Sequence, residues 1–198
     1  MTIDTKSISI LTKIYLKPGI YLRELARETD LSLPALKNQV DKFIKLKLVL
    51  KKEEGKTINF YLNHKNFLIV PYLYQIEFQR LAKLPRKVSN SVYDFLSILE
   101  NKPLIVIIFG SYASFNYNEK SDLDLLLIFN KLKEEEIEAK ARIISERYGI
   151  KIEPIYLKYS EFKKKFFDYS DRFMKNLKKD KILVVGIEYW VMLENEKA

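Results

Sequence analysis

Two short apolar runs, residues 104–109 and 125–129, constrain this chain most, because of what stands at their ends. The first, Leu-Ile-Val-Ile-Ile-Phe, stops at Gly110-Ser111, and the second opens on Asp122-Leu123-Asp124. Both read as buried strands, being short, apolar and, in the first case, largely β-branched. Residues two apart in a strand project to the same side, so Asp122 and Asp124 present paired carboxylates while Leu123 turns into the core. Carboxylates so close repel each other, and a divalent cation between them is the natural relief. Gly110 has no side chain and lets a phosphate approach its backbone. Ser111 adds a hydroxyl and an N–H for phosphate oxygens. A phosphate cradle at one strand end beside a carboxylate pair on a neighbouring strand is what metal-assisted phosphoryl transfer requires.

Composition narrows the chemistry further. The chain has no cysteine and one histidine, His64. Disulfides, thiolate metal sites, histidine triads and multi-histidine zinc sites are therefore excluded. Any metal must be held by oxygen, which points to magnesium, manganese or calcium. The apolar runs are far too short to cross a bilayer, so no membrane partner is expected. Residues 1–6 lack the pattern of a signal peptide, and a cytoplasmic location is the expectation. Abundant Lys, Glu, Ile and Tyr without Cys also suit a thermophile.

Downstream, residues 134–148 have the pattern of a charged amphipathic helix, and residues 150–156 form a third strand candidate that contains Glu153 and Pro154. Lys163-Lys164-Lys165 and Lys178-Lys179 read as solvated helix faces. Gly110-Ser111, a spacer, and then Ser121-Asp122-Leu123-Asp124-Leu125-Leu126 resemble the signature of the polymerase-β-like nucleotidyltransferase superfamily, in particular its small archaeal and bacterial members. The resemblance covers residues 100–190 and implies an α+β nucleotidyltransferase fold with a mixed sheet. It implies that Asp122 and Asp124 ligate Mg2+ (or Mn2+) and that Gly110-Ser111 holds the triphosphate of ATP or another NTP. Ser121 leads into the aspartate pair and is grouped with that nucleotide site. In the family a third carboxylate on the next strand binds the second metal and activates the attacking hydroxyl. Glu153 is the only suitable acid on that strand. Small family members often follow Gly-Ser with an arginine and a second glycine, whereas this chain has Tyr112, Ala113, Ser114 and Phe115. Lys120 is the candidate to replace the missing cation. The acceptor implied is a protein or nucleic-acid hydroxyl.

The N-terminal region has a different character. Residues 1–65 hold 13 Lys and Arg against 7 Asp and Glu, most of the chain's net charge of +9. Such an excess favours a polyanionic partner. Ile8, Leu11, Ile14 and Tyr15 recur at helical spacing until Pro18-Gly19. A second helix spans residues 21–29. Ser32 is an expected N-cap for a third helix over residues 33–46, with Pro34 in its first turn. Strand-like stretches at 48–52 and 57–62 flank Glu53-Glu54-Gly55-Lys56, which reads as a hairpin. This order, with Leu22-Arg23-Glu24-Leu25-Ala26 followed by Ser32-Leu33-Pro34-Ala35-Leu36, resembles the winged helix-turn-helix family. The resemblance implies a smaller, mainly α domain that binds double-stranded DNA. Lys37, Asn38, Lys42 and Lys45 of the third helix would face the DNA, with Lys51, Lys52 and Lys56 on the wing.

The predicted organisation is thus a winged helix over residues 1–66, a helical connector over 67–102 and a nucleotidyltransferase-like domain over 103–198. The connector reads as a spacer that docks one domain on the other, with a homodimer interface as the alternative. The function expected is Mg-dependent transfer of a nucleotide, tethered to DNA. The alternative is a DNA-binding regulator whose transferase-like domain binds nucleotide without catalysis.

Overall fold

The computed structural model describes residues 4–197. The chain divides into two compact units, one through Ile76 and one from Glu77 onward. None of the helices among the described residues is long and apolar enough to cross a membrane.

The first unit opens with α1 (Thr5–Leu16), whose Asp4 N-cap accepts from the Ser7 backbone N–H at 2.7 Å. Ile8, Leu11 and Ile14 are buried on one face, as their spacing predicts. A two-residue strand, β1 (Ile20–Tyr21), follows and leads directly into α2 (Leu22–Thr29). Asp30, at φ 54°, ends α2 in the left-handed conformation. Helix α3 (Leu33–Lys45) buries Leu36, Val40 and Phe43. Ser32 occupies its N-cap position, but its hydroxyl makes no capping hydrogen bond, contrary to expectation. The Ser32 carbonyl instead takes the Leu36 N–H at 2.9 Å, the ordinary first bond of a helix.

Strands β2 (Val49–Glu54) and β3 (Thr57–Leu62) pair antiparallel, and β1 joins the other edge of β3. The hairpin is tighter than the sequence suggests. Pairing continues to Glu54 opposite Thr57, so the loop is only Gly55-Lys56. The reason lies in Glu54, whose carboxylate accepts from Asn59 at 2.6 Å and from the Tyr61 hydroxyl at 2.7 Å. These cross-strand bonds extend the ladder and hold the Glu54 carboxyl below its ordinary pKa.

Helix α4 (Val70–Ala82) starts in the first unit and ends in the second. The second unit continues with α5 (Arg86–Ile98), capped by Pro85, then β4 (Ile105–Ile108) and the single turn α6 (Gly110–Ala113). Next come β5 (Leu123–Phe129), α7 (Glu134–Tyr148) and β6 (Ile152–Lys158). Helices α8 (Tyr159–Phe167) and α9 (Arg172–Lys179), strand β7 (Ile182–Val185) and α10 (Ile187–Lys197) complete the chain. The sheet order is β6-β5-β4-β7. β4 is antiparallel to both β5 and β7, and β5 is parallel to β6. The class is α+β with a mixed sheet, as predicted.

Alternation along β5 sets the two faces of this sheet. Leu123, Leu125, Leu127 and Phe129 enter a core with Val92 and Phe95 of α5 and Ile137, Ala141 and Ile144 of α7. Asp124, Leu126 and Ile128 take the opposite face. Helices α8 and α10 pack on the sheet as well. Their Phe162, Phe166 and Trp190 form a buried aromatic cluster, with Phe166 and Trp190 edge to face at 5.0 Å. Full burial of each ring contributes about 1.5–3 kcal/mol.

A charged cluster lies inside this unit. Glu77 and Arg80 of α4 are buried and paired at 3.1 Å. Arg80 also donates to the Lys181 carbonyl and, at 3.4 Å, to the Ala113 carbonyl at the end of α6. Glu77 accepts the Leu183 N–H of β7 at 3.3 Å. Lys181 is buried too, and its ammonium donates to the Lys178 carbonyl at 3.0 Å and lies 4.7 Å from the Trp190 ring centre. Burial pushes Lys181 down to about 8, and the nearby Glu77 charge limits the fall.

Candidate active site

The geometry around the aspartates follows from strand pairing. The Phe109 N–H donates to the Asp124 carbonyl at 3.1 Å, which brings the end of β4 against the start of β5. The chain then turns sharply into α6 through Gly110, at φ 66°. A Cβ built on Gly110 would overlap the Asp124 carboxylate. The glycine is therefore required twice, for its left-handed conformation and because a carboxylate lies against it. Gly110-Ser111 opens one turn of helix, and the Asp124 carboxylate sits against Gly110.

Ser111 lies in that turn, half-buried, and its carbonyl accepts the Asn116 N–H at 2.9 Å. The loop that follows is anchored by Tyr112, which is buried and stacks on Tyr117 at 4.6 Å. Asn118 closes the turn before the aspartates. Its side-chain oxygen takes the Lys120 N–H at 2.8 Å, and its own N–H donates to the Ser121 hydroxyl oxygen at 2.9 Å. Lys120 is thus exposed on a turn, and its ammonium pairs with no acid among the described residues.

Asp122 stands just before β5 and Asp124 within it. Parallel pairing puts Glu153 of β6 directly opposite Asp124, so both side chains leave the same face of the sheet. Lys151, which sequence reasoning passed over, completes the group. Its carbonyl accepts the Leu123 N–H at 2.8 Å, and its ammonium bonds to Glu153 and lies 3.6 Å from Asp122. The bond to Glu153 and the charge of Asp122 raise the Lys151 pKa above its ordinary value. An alternation signal was available, since Lys151 and Glu153 are two apart on the strand approach.

Asp124 is different. It is half-buried, and no described residue donates a hydrogen bond to its carboxylate. Burial first, and then the charges of Glu153 and Asp122, push its carboxyl above the ordinary range. An acid held in a negative field without a donor suits a cation. Among the described residues, no three acids converge into a closed ligand set. Magnesium does not need one, because it is commonly held by one or two carboxylates and completes its shell with substrate phosphates and water. The donors present fit such an ion.

The remaining sequence candidates lie in the first unit. Lys37, Asn38, Lys42 and Lys45 are exposed on α3, opposite its buried face, and Lys51, Lys52 and Lys56 are exposed on the β2–β3 hairpin. The Lys52 ammonium lies 5.0 Å from the Tyr61 ring centre.

Comparison with known proteins gives this geometry a context. Residues 94–184 match the sequence profile of the family described as polymerase beta, nucleotidyltransferase. A protein of Methanocaldococcus jannaschii, provisionally named a protein adenylyltransferase, is 38% identical over 69 residues, which cover 33% of this chain and 70% of that protein. A crystal structure from Sulfolobus solfataricus, provisionally described as a nucleotidyltransferase, aligns at 25% identity with a TM-score of 0.30, covering 54% of this chain and 84% of that one.

Proposed function

Because the chain belongs to the polymerase-β-type nucleotidyltransferase family, we propose that it transfers a nucleoside monophosphate from an NTP, ATP above all, to an acceptor hydroxyl, with Asp122, Asp124 and Glu153 as its acids. The observation that carries this reading is the in-register pair Asp124–Glu153 beside Asp122, with Gly110 against the Asp124 carboxylate. Asp122 and Asp124 would hold a magnesium or manganese ion, which when bound supplies positive charge to the phosphates. Ser111, with Ser121 and Lys120 on the following turn, is assigned to the nucleotide. Glu153 accepts the proton of the acceptor hydroxyl. The oxygen then bonds to the α-phosphorus, and the bond to pyrophosphate breaks. A protein hydroxyl is the favoured acceptor, since the Methanocaldococcus relative is named for protein adenylylation.

Calorimetric titration of ATP, GTP, CTP and UTP, with and without magnesium, tests the site. Magnesium-dependent binding is expected, and it should vanish in the Asp122→Ala/Asp124→Ala variant. Asp124→Asn alone should abolish metal-dependent nucleotide binding while leaving the fold intact. Nucleotide affinity unchanged in that single variant would remove Asp124 from the site.

Two observations favour a second reading. Glu153 is engaged by Lys151, and the acids do not form a closed three-ligand set. A nucleotide-sensing regulator needs no more than that. Binding of ATP with no release of pyrophosphate in the presence of candidate acceptors would support the sensor over the transferase.

We further propose that the first unit is a winged helix that binds double-stranded DNA through α3 and the β2–β3 hairpin. Support comes from the exposed lysines on both elements and from Glu54, which is folded back onto Asn59 and Tyr61 rather than projecting from the tip. Lys37→Ala with Lys42→Ala should weaken DNA binding and reduce the slope of log K against log salt by about 2, since each phosphate contact contributes roughly 0.9. A slope equal to wild type would mean that α3 does not touch phosphate.

A further inference from the structure

We propose that Lys151 is a tethered counter-ion of the active site, which neutralises Asp122 and Glu153 in the empty protein and transfers to the triphosphate when metal and nucleotide bind. The inference rests on the nucleotidyltransferase reading and deepens it.

Four observations support it. The Lys151 backbone is fixed, because its carbonyl accepts the Leu123 N–H at 2.8 Å beside the start of β5. Its side chain is 65% exposed and carries the charge on a flexible four-carbon stem. The ammonium sits between the carboxylates of Asp122 and Glu153, where a divalent ion would draw the same attraction. Finally, Tyr112 and Ala113 stand where family members carry an arginine, and Lys120 is held on a turn with no acid partner among the described residues.

Charge decides the sequence of events. One ammonium serves two of the three carboxylates, and Asp124 has no donor among the described residues. A divalent ion that settles on Asp122 and Asp124 repels the ammonium from Asp122. The triphosphate that accompanies the ion offers that ammonium a stronger partner, for charge-assisted bonds to phosphate exceed an exposed ion pair. Lysine suits the task, as a compact point charge on a flexible stem. Its departure also frees Glu153, the acid assigned to the acceptor proton.

The two halves of the proposal predict opposite changes in one variant. Lys151→Met should bind Mn2+ alone about two- to fivefold more tightly, as read by electron paramagnetic resonance, because a competing cation is gone. The same variant should bind ATP with magnesium about tenfold more weakly by calorimetry. Lys151→Arg should stay near wild type for ATP. Both affinities unchanged in Lys151→Met would overturn the proposal and leave a surface ion pair. Both weakened together would also overturn it, making Lys151 a support for the site. The Asp122→Ala/Asp124→Ala variant separates these results from failure of the parent reading. If wild-type protein binds neither Mn2+ nor ATP, or this variant binds as well as wild type, the assignment of the site falls and the proposal with it.

Discussion

Gly110→Ala should cut nucleotide transfer by roughly 100-fold or more, the scale of loss when reacting groups are misplaced by about 1 Å. Two independent costs meet at this residue. The left-handed conformation, φ 66°, costs a residue with a side chain about 1–2 kcal/mol. The new methyl would also overlap the Asp124 carboxylate, so either the carboxylate or α6 has to shift. A double-mutant cycle separates the two. In an Asp124→Ala background the overlap is relieved, and Gly110→Ala should cost only the backbone strain, measured by urea unfolding. Equal costs in the two backgrounds would mean that Gly110 and Asp124 do not couple.

Arg80→Met should destabilise the protein by about 3–5 kcal/mol, the usual cost of leaving a buried charge without its partner. Glu77 is 1% exposed and would lose its guanidinium partner while the Leu183 N–H still donates to it. Removing both members of the pair should be much milder. Glu77→Leu/Arg80→Met is expected to cost less than Arg80→Met alone, because two apolar side chains replace two desolvated charges. A double variant as unstable as the sum of the single ones would refute the coupling. The Glu77→Leu change has a second signature. Lys181, already lowered to about 8 by burial, loses the largest of the charges that hold it up and falls further. A lysine whose folded value is lowered binds fewer protons than it does unfolded. Stability therefore rises with pH between the folded value and the ordinary lysine value of 10.5, and in Glu77→Leu that rise should start at lower pH.

The sequence carried much of this architecture in local patterns. Helices α1 to α3 were legible because Ile8, Leu11, Ile14, Leu25, Leu36, Val40 and Phe43 repeat at helical spacing and are buried. Strands β4 and β5 were legible as apolar runs bounded by Gly110 and Asp122. What escaped depends on pairings distant in sequence. Glu153 was legible as the acid of the third strand, but its register opposite Asp124 is set by the pairing of β5 and β6. Lys151 shares the alternation of Glu153, but nothing local marks it as a partner of Asp122 until β6 lies beside β5. Glu77 and Arg80 resemble an ordinary solvated pair three residues apart on a helix, and only contact with β7 and α6 buries them. The acids expected at the hairpin tip extend the ladder instead, because Asn59 and Tyr61 hold Glu54 in place.

The buried pair on α4 also bears on how this protein could be dissected. The stretch recognisable as a nucleotidyltransferase begins at residue 94. The core beneath its sheet begins earlier, with Leu81, Leu84, Val88 and Val92, and Glu77 and Arg80 bind β7 and the end of α6 from earlier still. The recognisable motif is therefore shorter than the core it belongs to. A fragment cut at the motif's edge would leave the Ala113 and Lys181 carbonyls without their arginine and the core open on one side. In a gene fusion or a domain swap, the transferase has to travel with the second half of α4 and the whole of α5.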